Sequence, residues 1–328
     1  MQTSIVSRWG GAALLLVALA FPFVFSSPYA LGIGITAATF AVLATSLNLV
    51  FGYGGLLSFA QVGFFGLGAY AAAILVMDAG WSFWLAALAG GVLAMLLGLF
   101  IGFASLRLSR IAFVIVSLAT TLILHLLAKD LVFLTRGPAG LPGLPAPSVA
   151  IPGAMAIEFD TPRTYYWLSL AVAVALLLLV RWVVGSGAGR VMTAIRLDEP
   201  LAKSQGINPL PYRLLAIGLS AFIAGVIGAV HVFNLTIVDP SIFDMYYTEA
   251  ILIMVLLGGP GRFVSVVAAA MIFTVLPELL RISVDARSLI YGLLLIALML
   301  FLPNGIAELP QRLGRRLRGG GERRRADA

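Results

Sequence analysis

The chain has 328 residues, 61% of them hydrophobic and 11% charged, far below the roughly 25% charged share of a soluble domain, and its mean hydropathy is +1.06. That composition describes an integral membrane protein with no room for a soluble catalytic domain. The absence of cysteine excludes disulfides, thiolate metal sites and cysteine nucleophiles; the two histidines, distant in sequence, make a poor start for a metal site, and the formal charge of +7 sits between apolar runs rather than in a patch suited to nucleic acid.

Ten apolar segments follow one another, near 11–27, 29–50, 61–77, 83–104, 113–133, 165–184, 212–235, 248–260, 263–280 and 288–303. Lipid leaves no partner for a bare backbone group, so each is predicted to be a helix. The first could instead be a signal peptide behind Arg8, although Phe25-Ser26-Ser27-Pro28-Tyr29-Ala30 offers no clear small-x-small cleavage site. With the N-terminus placed in the cytoplasm, 16 of the 21 basic residues fall on the inner side and nine of the 14 acidic residues on the outer side. That asymmetry predicts an even number of crossings with both termini cytoplasmic. Residues 1–303 then form the transmembrane domain, with a Pro- and Gly-rich outer loop at 134–163 and a polar inner loop at 185–213. The arginine-rich stretch 304–328 is expected to be a basic cytoplasmic tail close to anionic headgroups.

The second and third segments are interrupted by NLVFGYGGLLSFAQVG, from Asn48 to Gly63. Gly52, Gly54 and Gly55 each weaken helix continuity by about 1 kcal/mol relative to alanine, while Ser58 and Gln61 are placed to bond backbone groups that a break would release. A broken or re-entrant element is one reading, tolerated at membrane depth only where protein buries it or it lines a wet cavity. A plain cytoplasmic turn followed by a closely packed helix is the other, with Gly63, Gly66 and Gly68 admitting a neighbour. A weaker echo, IMVLLGGPGRFVSVVA, begins at Ile253, as internal repeats in transporters would produce. In the inner loop, Asp198 or Glu199 can cap a short helix, Pro200 suits its first turn, and Gly206 suits a left-handed stop. Gly98 and Gly102, with Ala221, Gly225 and Ala229, mark helix contacts. His125 and Lys129 share a helix face and read as interface anchors, as do the acidic residues near outer span ends; His231 and Asn234 read equally as pathway or core. Without membrane-midplane carboxylates an ion-coupled pump has little to work with, and without a Walker A lysine motif any ATP hydrolysis belongs to a partner.

Three separated motifs resemble the permease subunits of branched-chain amino-acid ABC importers. The first is Leu47-Asn48-Leu49, Gly52-Tyr53, Gly55, Ser58, Phe64-Phe65 and Gly68-Ala69-Tyr70; Leu56 and Gln61 stand where relatives commonly carry Gln and His or Gln. The second, in the outer loop, is Thr135, Gly137, Gly140-Leu141 and Gly143-Leu144-Pro145, with Arg136 and Pro138-Ala139 departing from the pattern. The third, Gly189 to Arg213, resembles the loop by which ABC permeases dock on their ATPases, through Glu199, Ala202 and Gly206; a headgroup-bound amphipathic loop is the alternative. The order and extent are closer to the LivM-like subunit than to its sister permease. This resemblance implies a bacterial inner-membrane, multi-pass, non-catalytic subunit without cofactor. Its implied partners are a second homologous permease, two cytoplasmic ABC ATPases, a periplasmic substrate-binding protein and the lipid bilayer. Branched-chain or related hydrophobic amino acids are the implied substrates, though relatives also import urea, amides or aromatic acids. The alternative is an ion-coupled carrier or passive channel for small polar solutes such as urea or amides.

Overall fold

The computed structural model describes residues 3–106, 109–149 and 157–280. The expected tenth segment 288–303, the tail 304–328, residues 150–156 of the outer loop and the side chain of Glu278 lie outside that description. Twelve helices appear among the described residues: α1 (Thr3–Val24), α2 (Pro28–Asn48), α3 (Gln61–Met77), α4 (Phe83–Ser105), α5 (Arg110–Asp130), α6 (Val132–Thr135), α7 (Pro162–Gly185), α8 (Gly187–Leu197), α9 (Glu199–Ser204), α10 (Pro209–Leu235), α11 (Met245–Gly258) and α12 (Phe263–Leu280). Nine of the ten expected segments therefore coincide with helices. Among the described residues five stretches are long and apolar enough to cross a membrane: Pro28–Tyr53, Phe83–Ser105, Ile111–Asp130, Pro162–Gly185 and Pro209–Leu235. Of the remaining helices, α11, at 14 residues, extends about 21 Å at 1.5 Å per residue, less than the roughly 30 Å of a bilayer core.

Helix starts follow local chemistry. Ser27 caps α2, with Pro28 in the first turn and Ala30 N–H donating to Ser27 Oγ at 3.2 Å. Thr161 and Thr164 form a reciprocal capping box on α7, which satisfies donors that a helix start otherwise leaves bare. Asn208 caps α10 through the Leu210 N–H.

The centre of the molecule is α10, packed most extensively on α4 and α3. Small residues make this possible. A methyl group added to Gly225 would lie 2.9 Å from the Cα of Gly91 and from the Cβ of Ala94, and one added to Gly68 would collide with the Gly225 backbone itself. One added to Gly98 would lie 2.8 Å from the Ala221 Cβ. The expected small-residue positions are thus close helix contacts, Gly225 against backbone and Gly98 and Gly102 against side chains, the means by which helices associate where burial from lipid gains nothing. Around this centre α2 packs on α12, α7 and α10. Many apolar side chains of α4 and α5, among them Leu96, Phe100, Ile115, Leu122 and Leu126, remain exposed, as the lipid-facing side of a membrane helix requires.

The loops sort to two ends. At one end, residues 131–149 meet 236–244: β1 (Leu141–Pro142) pairs antiparallel with β4 (Ile237–Val238), Leu141 opposite Val238. At the other end, residues 49–60, α8, α9 and the α11–α12 turn come together.

Candidate translocation and coupling site

The interruption after α2 is a true break. The chain leaves α2 through a π-turn, Leu49–Tyr53, with Gly54 N–H donating to Leu49 O at 3.1 Å and Leu56 N–H to Val50 O at 3.1 Å. Gly55 then takes φ +70°, a left-handed backbone that a side chain resists, and regular structure resumes only at Gln61. The freed backbone is satisfied from outside. Ser117 Oγ of α5 accepts from Phe59 N–H at 3.0 Å, and Thr121 Oγ1 donates to Phe59 O at 2.9 Å. These two hydroxyls, one turn apart on α5, hold both polar groups of a single residue. Ser58 contributes the Ala60 N–H bond at 3.3 Å, but Gln61 does not serve the break as expected. Its side chain points inward, Nε2 donating to Ser46 Oγ and, at 3.4 Å, to Ser220 O, while Ser220 Oγ lies 2.9 Å from Gln61 Oε1 and 2.8 Å from Ser46 O. Ser46, Gln61 and Ser220 are all at most 2% exposed, so this is a satisfied polar knot tying α2, α3 and α10. Such a buried network favours one packing arrangement over its neighbours.

Asn48, also fully buried, accepts from the Gly261 N–H at 2.8 Å through Oδ1. Gly52 lies beside it, too close to the Gly261 backbone for any side chain. The two Gly-rich stretches that echo one another in sequence are therefore in contact. Arg196 of α8 reaches the same place, donating through Nη1 to Gly52 O, with Pro260 O at 3.4 Å. The sequence shows Arg196 only as a flanking charge; a contact across 144 residues leaves no local signal.

The short helix α9 sits where the loop chemistry predicts, and of the two capping candidates one is used. Asp198 rather than Glu199 is the cap, accepting from Leu201 N–H at 3.0 Å. Glu199 is held by a two-pronged pair with Arg213 of α10, at 2.7 and 3.3 Å, and by Lys203 at 3.0 Å. The fork geometry of Arg with carboxylate fixes direction as well as distance, which orients α9 on α10. Gly206 ends the helix at φ +79°, with Ile207 N–H returning to Ala202 O at 3.1 Å. Ala202 is buried, while Leu197 and Leu201 are 80% and 58% exposed. A rigidly mounted knob with an apolar tip results.

In the loop that follows α5, Thr135 Oγ1 donates to Leu131 O at 2.8 Å and accepts from Gly137 N–H at 3.1 Å. Gly137, Gly140 and Gly143 all have positive φ, and Gly143 and Leu144 both donate to Thr236 O. This motif clamps the end of α10; it does not approach the break. Elsewhere His125 stacks on Phe243 at 6.1 Å, and His231 packs in the core against Phe65 at 5.5 Å. Among the described residues no three His, Asp or Glu side chains gather into a metal cluster.

Compared with known proteins, residues 29–302 match the family model described as the permease component of branched-chain amino acid transport systems. The chain belongs to this family. The match begins at the start of α2 and spans both Gly-rich breaks and the α8–α9 loop. Among curated relatives, the high-affinity branched-chain amino acid transport system permease proteins LivM of Salmonella typhimurium and of Escherichia coli are each 28% identical over 315 residues, covering 90% of this chain and 74% of theirs. No solved structure matches it. For a LivM-like permease, the polar knot, the paired breaks and the inner knob are the features whose roles need explaining.

Proposed function

We propose that this LivM-like permease is the membrane subunit of an ATP-driven importer of branched-chain or related hydrophobic amino acids in a bacterial inner membrane. It works beside a second homologous permease, two cytoplasmic ABC ATPases and a periplasmic binding protein. The observation that carries the reading is the family match across residues 29–302, and the geometry supplies its physical counterpart: α9, capped at Asp198 and braced by Arg213, which offers Leu201 to a partner beside Leu197 at the end of α8. Apolar anchors on a rigid mount are what a docking contact needs. Glu199, Ala202 and Gly206 act here as the frame of the knob rather than its tip. The Asn48–Gln61 region, with Gly52, Gly54, Gly55 and Ser58, is the part of the permease that rearranges during transport, since beyond a few local backbone bonds its irregular backbone is held by side-chain bonds that can be exchanged. Thr135, Gly137, Gly140 and Gly143 shape the surface offered to the binding protein. ATP binding in the partners then shifts the permease between inward- and outward-open states through its different grip on α9 in each.

The test is uptake of leucine into proteoliposomes holding both permeases, with and without the ATPases and loaded binding protein. Uptake that requires all components supports the reading; uptake by the permeases alone would sink it and favour a channel or carrier. Orientation is tested in the same cysteine-free background: cysteines at Ala139 and Ser204 should react with an impermeant thiol reagent in intact cells at 139 only.

A further inference from the structure

Two helices end at one point. α2 with its π-turn ends at Tyr53 and α11 ends at Gly258, and both present C-terminal carbonyls, which carry partial negative charge. Between them stand the Gly261 N–H, bonded to Asn48 Oδ1 at 2.8 Å, and the Arg196 guanidinium, donating to Gly52 O and lying 3.4 Å from Pro260 O. The fit leaves no slack. A methyl group on Gly261 would lie 2.6 Å from Arg196 Nη1 and 2.9 Å from Gly52 O, and one on Gly55 would lie 3.1 to 3.4 Å from Arg196 Cγ, Cβ and Cα. Arg196 is the penultimate residue of α8, two positions before the cap of α9. The inner knob and both breaks are therefore joined through one side chain.

We propose that Arg196 is a positioning residue that makes α8 and the two Gly-rich breaks one mechanical unit, so that a displacement of α8 and α9 moves the ends of α2 and α11 together. A guanidinium suits the task because its donors form a fixed fork that can bond two carbonyls at once, and its charge offsets both helix ends. A neutral side chain of equal length fills the space but holds neither end. The proposal rests on the ATP-driven reading above, which supplies the displacement.

The experiment uses the complete complex in nanodiscs, with Arg196→Met to keep bulk without donors and Arg196→Lys to keep a charged donor. Arg196→Met should still purify with the ATPases, yet lose binding-protein-stimulated ATP hydrolysis and uptake by roughly 5- to 150-fold, the usual range for coupling between two sites. Arg196→Lys should recover a measurable part of both. Spin labels at Ser204→Cys and Ser265→Cys give a second readout with Arg196 in place: their separation should be the same in nucleotide-free and ATP-trapped complexes, and should change between those states in Arg196→Met. Native-level coupling in Arg196→Met would overturn the proposal. So would a label separation that changes between states while Arg196 is intact, a result that stands even if Arg196→Met does not assemble. Uptake without ATPases in the native control is a different failure, that of the importer reading itself.

Discussion

The two Gly-rich interruptions, Gly52 to Ala60 and Gly258 to Arg262, look alike in sequence and are built differently. The second is a tight turn, Gly259 N–H donating to Leu256 O at 3.2 Å and Arg262 N–H to Gly259 O at 3.1 Å, with its Gly261 N–H taken by Asn48 and its Pro260 O by Arg196. The first is longer, and its Phe59 backbone is satisfied only by Ser117 and Thr121 of α5. Glycine in an apolar run therefore announces close approach, while the longer opening is the one at which a neighbouring helix, α5, meets both polar groups of a single residue. Both readings weighed from the sequence, a broken element and a simple turn, are realised in this chain, one at each site.

The largest expected effect comes from forcing the two sites apart. Gly52→Leu drives a side chain into Asn48 and the Gly261 backbone, and overpacking of this kind costs about 1–3 kcal/mol or more. Uptake should be lost and thermal inactivation of the purified permease should fall to lower temperature. Native uptake would mean that the breaks separate without consequence.

Next is the support that only the first break has. Ser117→Ala with Thr121→Val leaves the Phe59 N–H and carbonyl without partners, at about 1–3 kcal/mol for each group. Hydrogen exchange should rise across 54–60 and stay unchanged across 258–262. Equal protection in both would show that water already serves the first break and that the α5 hydroxyls are incidental.

Much of this was legible in the chain. The helix positions followed from apolar run lengths, and the α9 boundaries from Pro200 and Gly206, because each is set by residues adjacent in sequence. The α5 clamp was not legible: a Ser or Thr in an apolar helix ordinarily bonds its own preceding turn, as Thr120 does with Val116 O at 2.8 Å. Nothing local distinguishes Thr121 from it. The Glu199–Arg213 pair was missed because Glu199 stood where a cap was equally good chemistry. Arg196 and the β1–β4 pairing are contacts between remote segments, which periodicity does not encode.

A smaller effect is expected at Gly206, away from both breaks. Apart from its chain neighbours no atom lies within 4 Å of a Cβ placed there, so the main cost of Gly206→Val is its left-handed backbone, about 1–2 kcal/mol. Stimulated ATP hydrolysis should weaken while hydrogen exchange at 54–60 and 258–262 stays as in the native chain. Loosening of either break by this substitution would mean that α9 braces them directly rather than through α8.

Ser58→Ala should do least. Its hydroxyl accepts from Ala60 N–H at 3.3 Å, beyond the usual 2.7–3.2 Å for such a bond, and the neighbouring Phe59 is already held at both polar groups by α5. Removing it is expected to cost no more than about 1 kcal/mol, the net contribution of an ordinary hydrogen bond, visible as a slight rise in exchange at Ala60 with uptake near native. The comparison is sharpened by combining it with Thr121→Val. If the break is held chiefly by α5, Ser58→Ala should cost more in that background than alone, because the remaining local bond then bears more of the strain. Simple additivity would assign the two hydroxyls independent roles, and the first break would owe its shape to Gly55 and the π-turn instead.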